Sequence, residues 1–162
     1  MNQVSPRQPA AGVANLGLVR PPLVYFGSIG LGLLVHLFWP VQLLPAPAGV
    51  PIGVTLVLVA SAVFISAVRV FRKAGTPIQG DRPTKVIVRA GPYGFSRNPI
   101  YLAFTLFQAG LAAWVNSLGL LVALLPALAI IVFVVIPREE RYLEARFPSE
   151  YLPYKYEVRR WL

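Results

Sequence analysis

Two long stretches of this chain, residues 21–68 and residues 98–137, contain no Asp, Glu, Lys or Arg. A soluble domain spreads charge over every exposed element, and about a quarter of its residues are ionised. Here only 13% are charged and 56% are hydrophobic, with the charges held outside the two blocks. Backbone immersed in hydrocarbon must satisfy its own N–H and C=O groups, which an α-helix does within one segment. Crossing a bilayer core about 30 Å thick takes roughly 20 residues at about 1.5 Å each. Each block is long enough for two crossings. The expected fold class is therefore all-α: an integral membrane protein with about four transmembrane helices.

Prolines and glycines divide the blocks. "PAPAGVP" at residues 45–51 separates a first helix, about residues 23–44, from a second, about 52–71. "WVNSLG" separates a third helix, 99–114, from a fourth, 118–136. Pro99 suits a first helical turn, where its missing N–H would have had no partner. The small residues "APA" at 46–48 resemble a signal cleavage site, but the apolar run before them exceeds the roughly 7–15 residues of a signal core. Residues 1–20, rich in Pro, Gln, Asn and Gly, read as a disordered arm, and residues 21–162 as the membrane domain. Gly27, Gly30 and Gly32 in the first helix suit close helix packing, within the chain or against a partner.

Fifteen Lys and Arg against six Asp and Glu give a net charge of +9. Such an excess suits either nucleic acid or an anionic membrane surface. Its distribution decides for the membrane. The basic residues lie at the N-terminus, in residues 72–97 and in the tail at 138–162, while the two hairpin tips are uncharged. With four crossings these islands share one face, which the positive-inside rule makes cytoplasmic, termini included. The sequence has no cysteine and a single histidine, so a thiolate or multi-histidine metal site is not expected. His36, alone in the first helix, reads as a hydrogen-bonding packing residue.

Two segments carry polar chemistry. The central loop ends in "TKVIVRAGPYGFSRNPIY", where "TKVIV" reads as a short extended piece and Gly91 and Gly94 flank Pro92 in a turn with exposed N–H groups. Arg97, at the mouth of the third helix, offers a planar fork to a carboxylate or phosphate; the plainer reading is that it snorkels to lipid phosphates. The tail begins "PREERYLEARF", a helix continuing from the fourth, with Tyr142, Leu143 and Phe147 on an apolar edge. Tyr151, Tyr154, Tyr156, Arg159, Arg160 and Trp161 follow. Aromatics and arginines are ordinary interfacial anchors, whereas Glu139 and Glu140 below a membrane helix do not help attachment to an anionic leaflet.

"GPYGFSRNPIY" followed, after one apolar hairpin, by "EERYLEARFPSEYLPYKYEVRRW" resembles the isoprenylcysteine carboxyl methyltransferase family and the related phospholipid methyltransferases. The resemblance covers residues 84–162; the first two helices match only as hydrophobic spans. It implies an integral membrane enzyme that takes a methyl group from S-adenosylmethionine in a cytoplasm-facing pocket, with a lipid-like or prenylated acceptor arriving from the bilayer. Membrane lipids are then its surroundings, and nucleic acid is not a partner. Carried across by position, Arg97 and Glu140 are the implied catalytic residues. Tyr93, Asn98, Pro99, Tyr101, Glu139, Tyr151, Tyr154 and Arg159 are the implied cofactor-binding set, with Leu143 in the same block.

Asn98 stands where the prenylcysteine enzymes have histidine, and Ala103 where many have glycine. Asparagine still offers a donor and an acceptor, so methyl transfer is expected to survive. Carboxyl O-methylation is the first expectation for the acceptor chemistry, and N-methylation of a phospholipid amine, which needs a base, is the alternative. A small transporter or a structural membrane protein is the rival of another class; neither accounts for the paired motifs.

Overall fold

A computed structural model describes residues 20–45, 47–76 and 84–162. The expected N-terminal arm, apart from Arg20, and most of the loop before Thr84 lie outside the described residues, as does Ala46 of the "APA" motif. Six α-helices follow in order: α1 Pro21–Phe38, α2 Gly49–Lys73, α3 Pro99–Trp114, α4 Leu118–Ile130, α5 Ile136–Arg146 and α6 Pro148–Glu157. A 3-10 turn, Gly91–Gly94, precedes α3, and a π turn, Ile131–Val135, joins α4 to α5. Among the described residues, three helices are long and apolar enough to cross a membrane: α1, α2 and the continuous rod Leu118–Arg146. With α3 as a shorter apolar helix, the chain is an all-α, multi-pass membrane protein.

Helix boundaries differ from expectation where proline acts on its neighbours. The first helix stops at Phe38 rather than near residue 44, because Pro40 drives Trp39 out of the helical region, to φ −137° and ψ 83°. The second starts at Gly49, so Pro51 lies inside its first turn and not before it; a missing N–H costs nothing there. The third runs over the expected 99–114. Its 16 residues span about 24 Å, less than the other crossings. Residues 84–88 form no strand. They run as irregular backbone, the Thr84 N–H donating to Tyr142 Oη at 3.2 Å and the Lys85 N–H to Thr76 Oγ1 at 3.0 Å.

α2 packs along α3 and α1 along α4, each pair brought together by a residue without a side chain. A Cβ on Gly53 would sit 2.4 Å from the Trp114 backbone nitrogen, and one on Gly32 2.7 Å from Leu120 Cα. Gly27 and Gly30, expected to pack with Gly32, face open space instead. Between the helix pairs, Tyr25 Oη and Thr105 Oγ1 share a hydrogen bond at 2.9 Å. Gln108 donates to Ser28 Oγ at 2.7 Å, and Ser28 to the Ala123 carbonyl at 2.7 Å. His36 departs from its expected role: its buried Nδ1 finds no partner among the described residues.

The two uncharged hairpin tips meet each other. Asn116 takes a left-handed φ of 54°, which asparagine tolerates better than most residues. Its Oδ1 accepts from the N–H groups of Leu43 at 2.9 Å and Leu44 at 2.7 Å, and its Nδ2 donates to the Leu44 carbonyl at 3.0 Å. The Leu118 N–H adds a bond to the Val41 carbonyl at 3.0 Å. With both tips at one end, the turn before α3 and the tail after α4 are left together at the other.

Candidate functional site

Arg97 is fixed on both sides by backbone. Pro99 holds the first turn of α3 and is fully buried, while the 3-10 turn before it starts at Gly91, whose φ of 60° no side chain favours. The Arg97 N–H donates to the Arg159 carbonyl at 2.9 Å. One residue to either side, Ser96 Oγ and Asn98 Nδ2 both donate to the Arg160 carbonyl at 3.1 Å. Residues 158–160, beyond the end of α6, are thereby tied down as a strap across the mouth of α3.

Under the strap lies a buried charge cluster. Glu140, 6% exposed, receives the Arg160 fork: Nε at 2.9 Å from Oε1 and Nη2 at 2.6 Å from Oε2. Arg97 Nη1 stands 3.0 Å from Oε1 and also donates to Tyr151 Oη at 3.4 Å. The Arg97 side chain is 9% exposed, so this arginine does not snorkel to the lipid surface. Its Nε is buried with no partner among the described residues. Two guanidiniums around one carboxylate leave a surplus positive charge, with an unused donor beside it.

Tyrosines line the cluster. Tyr154 Oη donates to the Tyr93 carbonyl at 2.8 Å, and its ring lies under Arg89, 5.6 Å from the guanidinium carbon. The Tyr93 ring stacks at a tilt on Phe71, at 4.8 Å. Burial pushes the Tyr151 phenol up to about 12, with Glu140 adding to the rise and Arg97 opposing it. Tyr93 and Tyr154 are raised too, chiefly by burial. All three are neutral hydrogen-bond donors at neutral pH. The Arg160 guanidinium is also held above its ordinary value, first by its hydrogen bonds to Glu140.

Adjacent to this cluster, Glu139 has a different setting. Its Oε1 accepts from Tyr101 Oη at 2.6 Å, and no cation pairs with it among the described residues. Tyr101 belongs to the buried apolar cluster of Tyr25, Leu124, Ile131, Val135 and Ile136, against which Trp161 packs. The two neighbouring glutamates thus divide: Glu140 is saturated by arginine, Glu139 is held by a neutral phenol at the edge of the apolar core.

Of the implied site residues, Tyr93, Arg97, Tyr101, Glu139, Glu140, Tyr151 and Tyr154 gather in this region. Asn98 and Pro99 adjoin it at the start of α3. The Asn98 amide holds the strap and Pro99 sets the helix start. Leu143 closes α5, its carbonyl accepting the Phe147 N–H at 2.8 Å. The Arg159 side chain is exposed and its carbonyl accepts the Arg97 N–H, while the guanidinium on Glu140 is that of Arg160. "RRW" offers two candidates side by side, and the sequence does not say which of them faces in. Ser96 was likewise missed, having only the signal that it precedes the arginine.

A phospholipid methyltransferase family model matches residues 49–150, from the start of α2 into α6. The chain belongs to that family. α1, the strap and Trp161 lie outside the matched span. A "Cobalt-zinc-cadmium resistance protein CzcN" from Cupriavidus metallidurans is 36% identical over 68 residues, covering 42% of this chain and 32% of that protein. This chain thus spans about a third of that relative's length. An uncharacterized protein from Haemophilus influenzae is 44% identical over 63 residues, 39% of this chain and 89% of that protein. No solved structure matches. Family and architecture together make this chain a multi-pass membrane member of the phospholipid methyltransferase family.

Proposed function

We propose that the chain transfers a methyl group from S-adenosylmethionine to a lipid amine, in a pocket between the Arg97 turn, α5 and α6 at the basic, cytoplasmic end of the bundle. The observation that carries this reading is the split between the two glutamates. A desolvated carboxylate with no cation of its own suits a cationic guest, and an ammonium headgroup supplies one. A carboxylate acceptor beside Glu139 would be repelled by it.

The residues present fit the cofactor. Its α-carboxylate is matched by the unpartnered Arg97 Nε and the surplus positive charge around it. Tyr93, Tyr151 and Tyr154 give aromatic faces and neutral donors for an adenosine. When bound, S-adenosylmethionine supplies an electrophilic methyl group on a sulfonium sulfur. The rest falls to the protein. Arg97 and Tyr151 orient the donor, and burial beneath the strap excludes water. Glu139, its Oε1 held by Tyr101, takes the proton an ammonium must lose before its nitrogen can attack.

A second reading, carboxyl O-methylation, draws support from the same unpartnered Arg97 Nε if that donor serves the acceptor's carboxylate instead. Membranes containing the protein, incubated with methyl-labelled S-adenosylmethionine, extracted for lipid and treated with mild base, separate the two. Base-stable label in the lipid is the expected result. Volatile labelled methanol would replace the amine with a carboxylate acceptor, and no label above control membranes would overturn methyl transfer.

A further inference from the structure

Three arrangements stand apart from the chemistry already described: the polar pairs inside the bundle at Tyr25 and Gln108, the exposed cations on α2 and α5, and the unequal sharing of Glu140 between two arginines. The first is closed by its own hydrogen bonds apart from one amide oxygen, and the second follows from membrane topology. The third carries more. Resting on the reading above that the pocket takes an anionic group, we infer that Arg160 is a positioning residue: by occupying both oxygens of Glu140 it keeps Arg97 from collapsing onto that carboxylate, and so holds the Arg97 Nε edge open for a ligand carboxylate.

The geometry states the competition. Planar guanidinium and carboxylate groups pair best as two parallel bonds, Nε and one Nη on one side, two oxygens on the other. Arg160 has that arrangement, with 2.9 and 2.6 Å contacts. Arg97, buried against the same carboxylate, is left with one Nη1 contact at 3.0 Å and an Nε that bonds to nothing described. A buried guanidinium next to an available carboxylate would not leave Nε idle, since a buried donor without a partner forfeits its hydration for nothing. Glu140 is simply already taken. The Arg160 carbonyl, pinned by Ser96 and Asn98, keeps the guanidinium in place although its side chain is 41% exposed.

Charge leads to the same expectation. Arg97, Arg160 and Glu140 together carry one surplus positive charge; without the Arg160 charge the cluster is neutral, and neutralising Glu140 as well restores the surplus. In Arg160→Gln the affinity for S-adenosylhomocysteine should fall about tenfold or more, the size of a lost charge-assisted bond, while 5′-methylthioadenosine, which lacks the amino-acid end, should bind as before. Arg160→Lys should rescue only in part, because an ammonium cannot occupy both oxygens. Glu140→Gln added to Arg160→Gln should recover S-adenosylhomocysteine binding to within about threefold of the parent, whereas a residue that merely props up the fold would give additive damage.

The deciding measurement pairs that affinity, by calorimetry in nanodiscs, with the nitrogen-15 spectrum of the Arg97 Nε–H, assigned by loss of its signal in Arg97→Lys. Slowed exchange and a shifted Nε–H signal in Arg160→Gln, together with weakened S-adenosylhomocysteine binding, is the expected result. A changed Nε–H signal with unchanged affinity would keep the role of Arg160 and move the open edge to an anionic acceptor, overturning the cofactor placement under the proposed function. An Nε–H signal identical in the parent and Arg160→Gln would overturn the inference.

Discussion

At the uncharged end of the bundle, one neutral side chain, Asn116, joins two hairpin tips with three hydrogen bonds, two accepted by its oxygen and one donated by its nitrogen. At the basic end, the Arg97 turn, α5 and the strap are joined by two arginines on one glutamate, and a buried donor remains unused. Structure alone asks only for closure, which the tip achieves with neutral groups. The cost of burying the Arg97 and Glu140 charges at the other end is justified when a ligand completes the set. A neutral joint closes on backbone; a charged cluster with a buried donor to spare marks a site.

That contrast can be broken by substitutions at either end. Gly53→Val, near the tip, should have the largest effect. Its side chain would meet Trp114 backbone at 2.4 Å, parting α2 from α3 at a cost of at least about 3 kcal/mol, read as lost folded protein in size exclusion. Arg97→Ala should lower methyl transfer about a hundredfold with little change in melting temperature, because Glu140 keeps Arg160. Asn116→Ala should cost about 2–4 kcal/mol, from the lost bonds and the strain of alanine at φ 54°. Asn116→Gly should cost less, since glycine accepts that φ, and both should leave activity per folded molecule unchanged. Gly30→Ala, pointing into open space, should stabilise α1 by about 0.5–1 kcal/mol. Should a tip variant change turnover, or Arg97→Ala unfold the protein, the division between joint and site would fail.

The helices were legible because charge-free length is a requirement of the bilayer, independent of packing. Their ends were less so. Pro51 breaks a chain when it follows a helix and is harmless when it opens one, and the sequence does not say which role applies. The site was legible as a set of residue types but not as a set of directions. Arg159 and Arg160 are neighbours in one strap, yet one side chain is exposed and the other pairs with Glu140, and the Asn98 amide, expected at the cofactor, donates to that strap. Glu139 and Glu140 are neighbours in sequence with opposite surroundings.

That last difference is set by the π turn at Ile131–Val135, where the Ile136 N–H reaches back to the Ile131 carbonyl. Such a turn admits one residue more than an α-helix would, and one residue of helix is about 100° of rotation. The turn is therefore an angular offset between the lipid-facing half of the rod and its charged half. Deleting a single residue there would keep the rod helical and apolar, yet turn α5 until Glu140 no longer faced Arg97. One residue's worth of winding decides which carboxylate the arginines can reach.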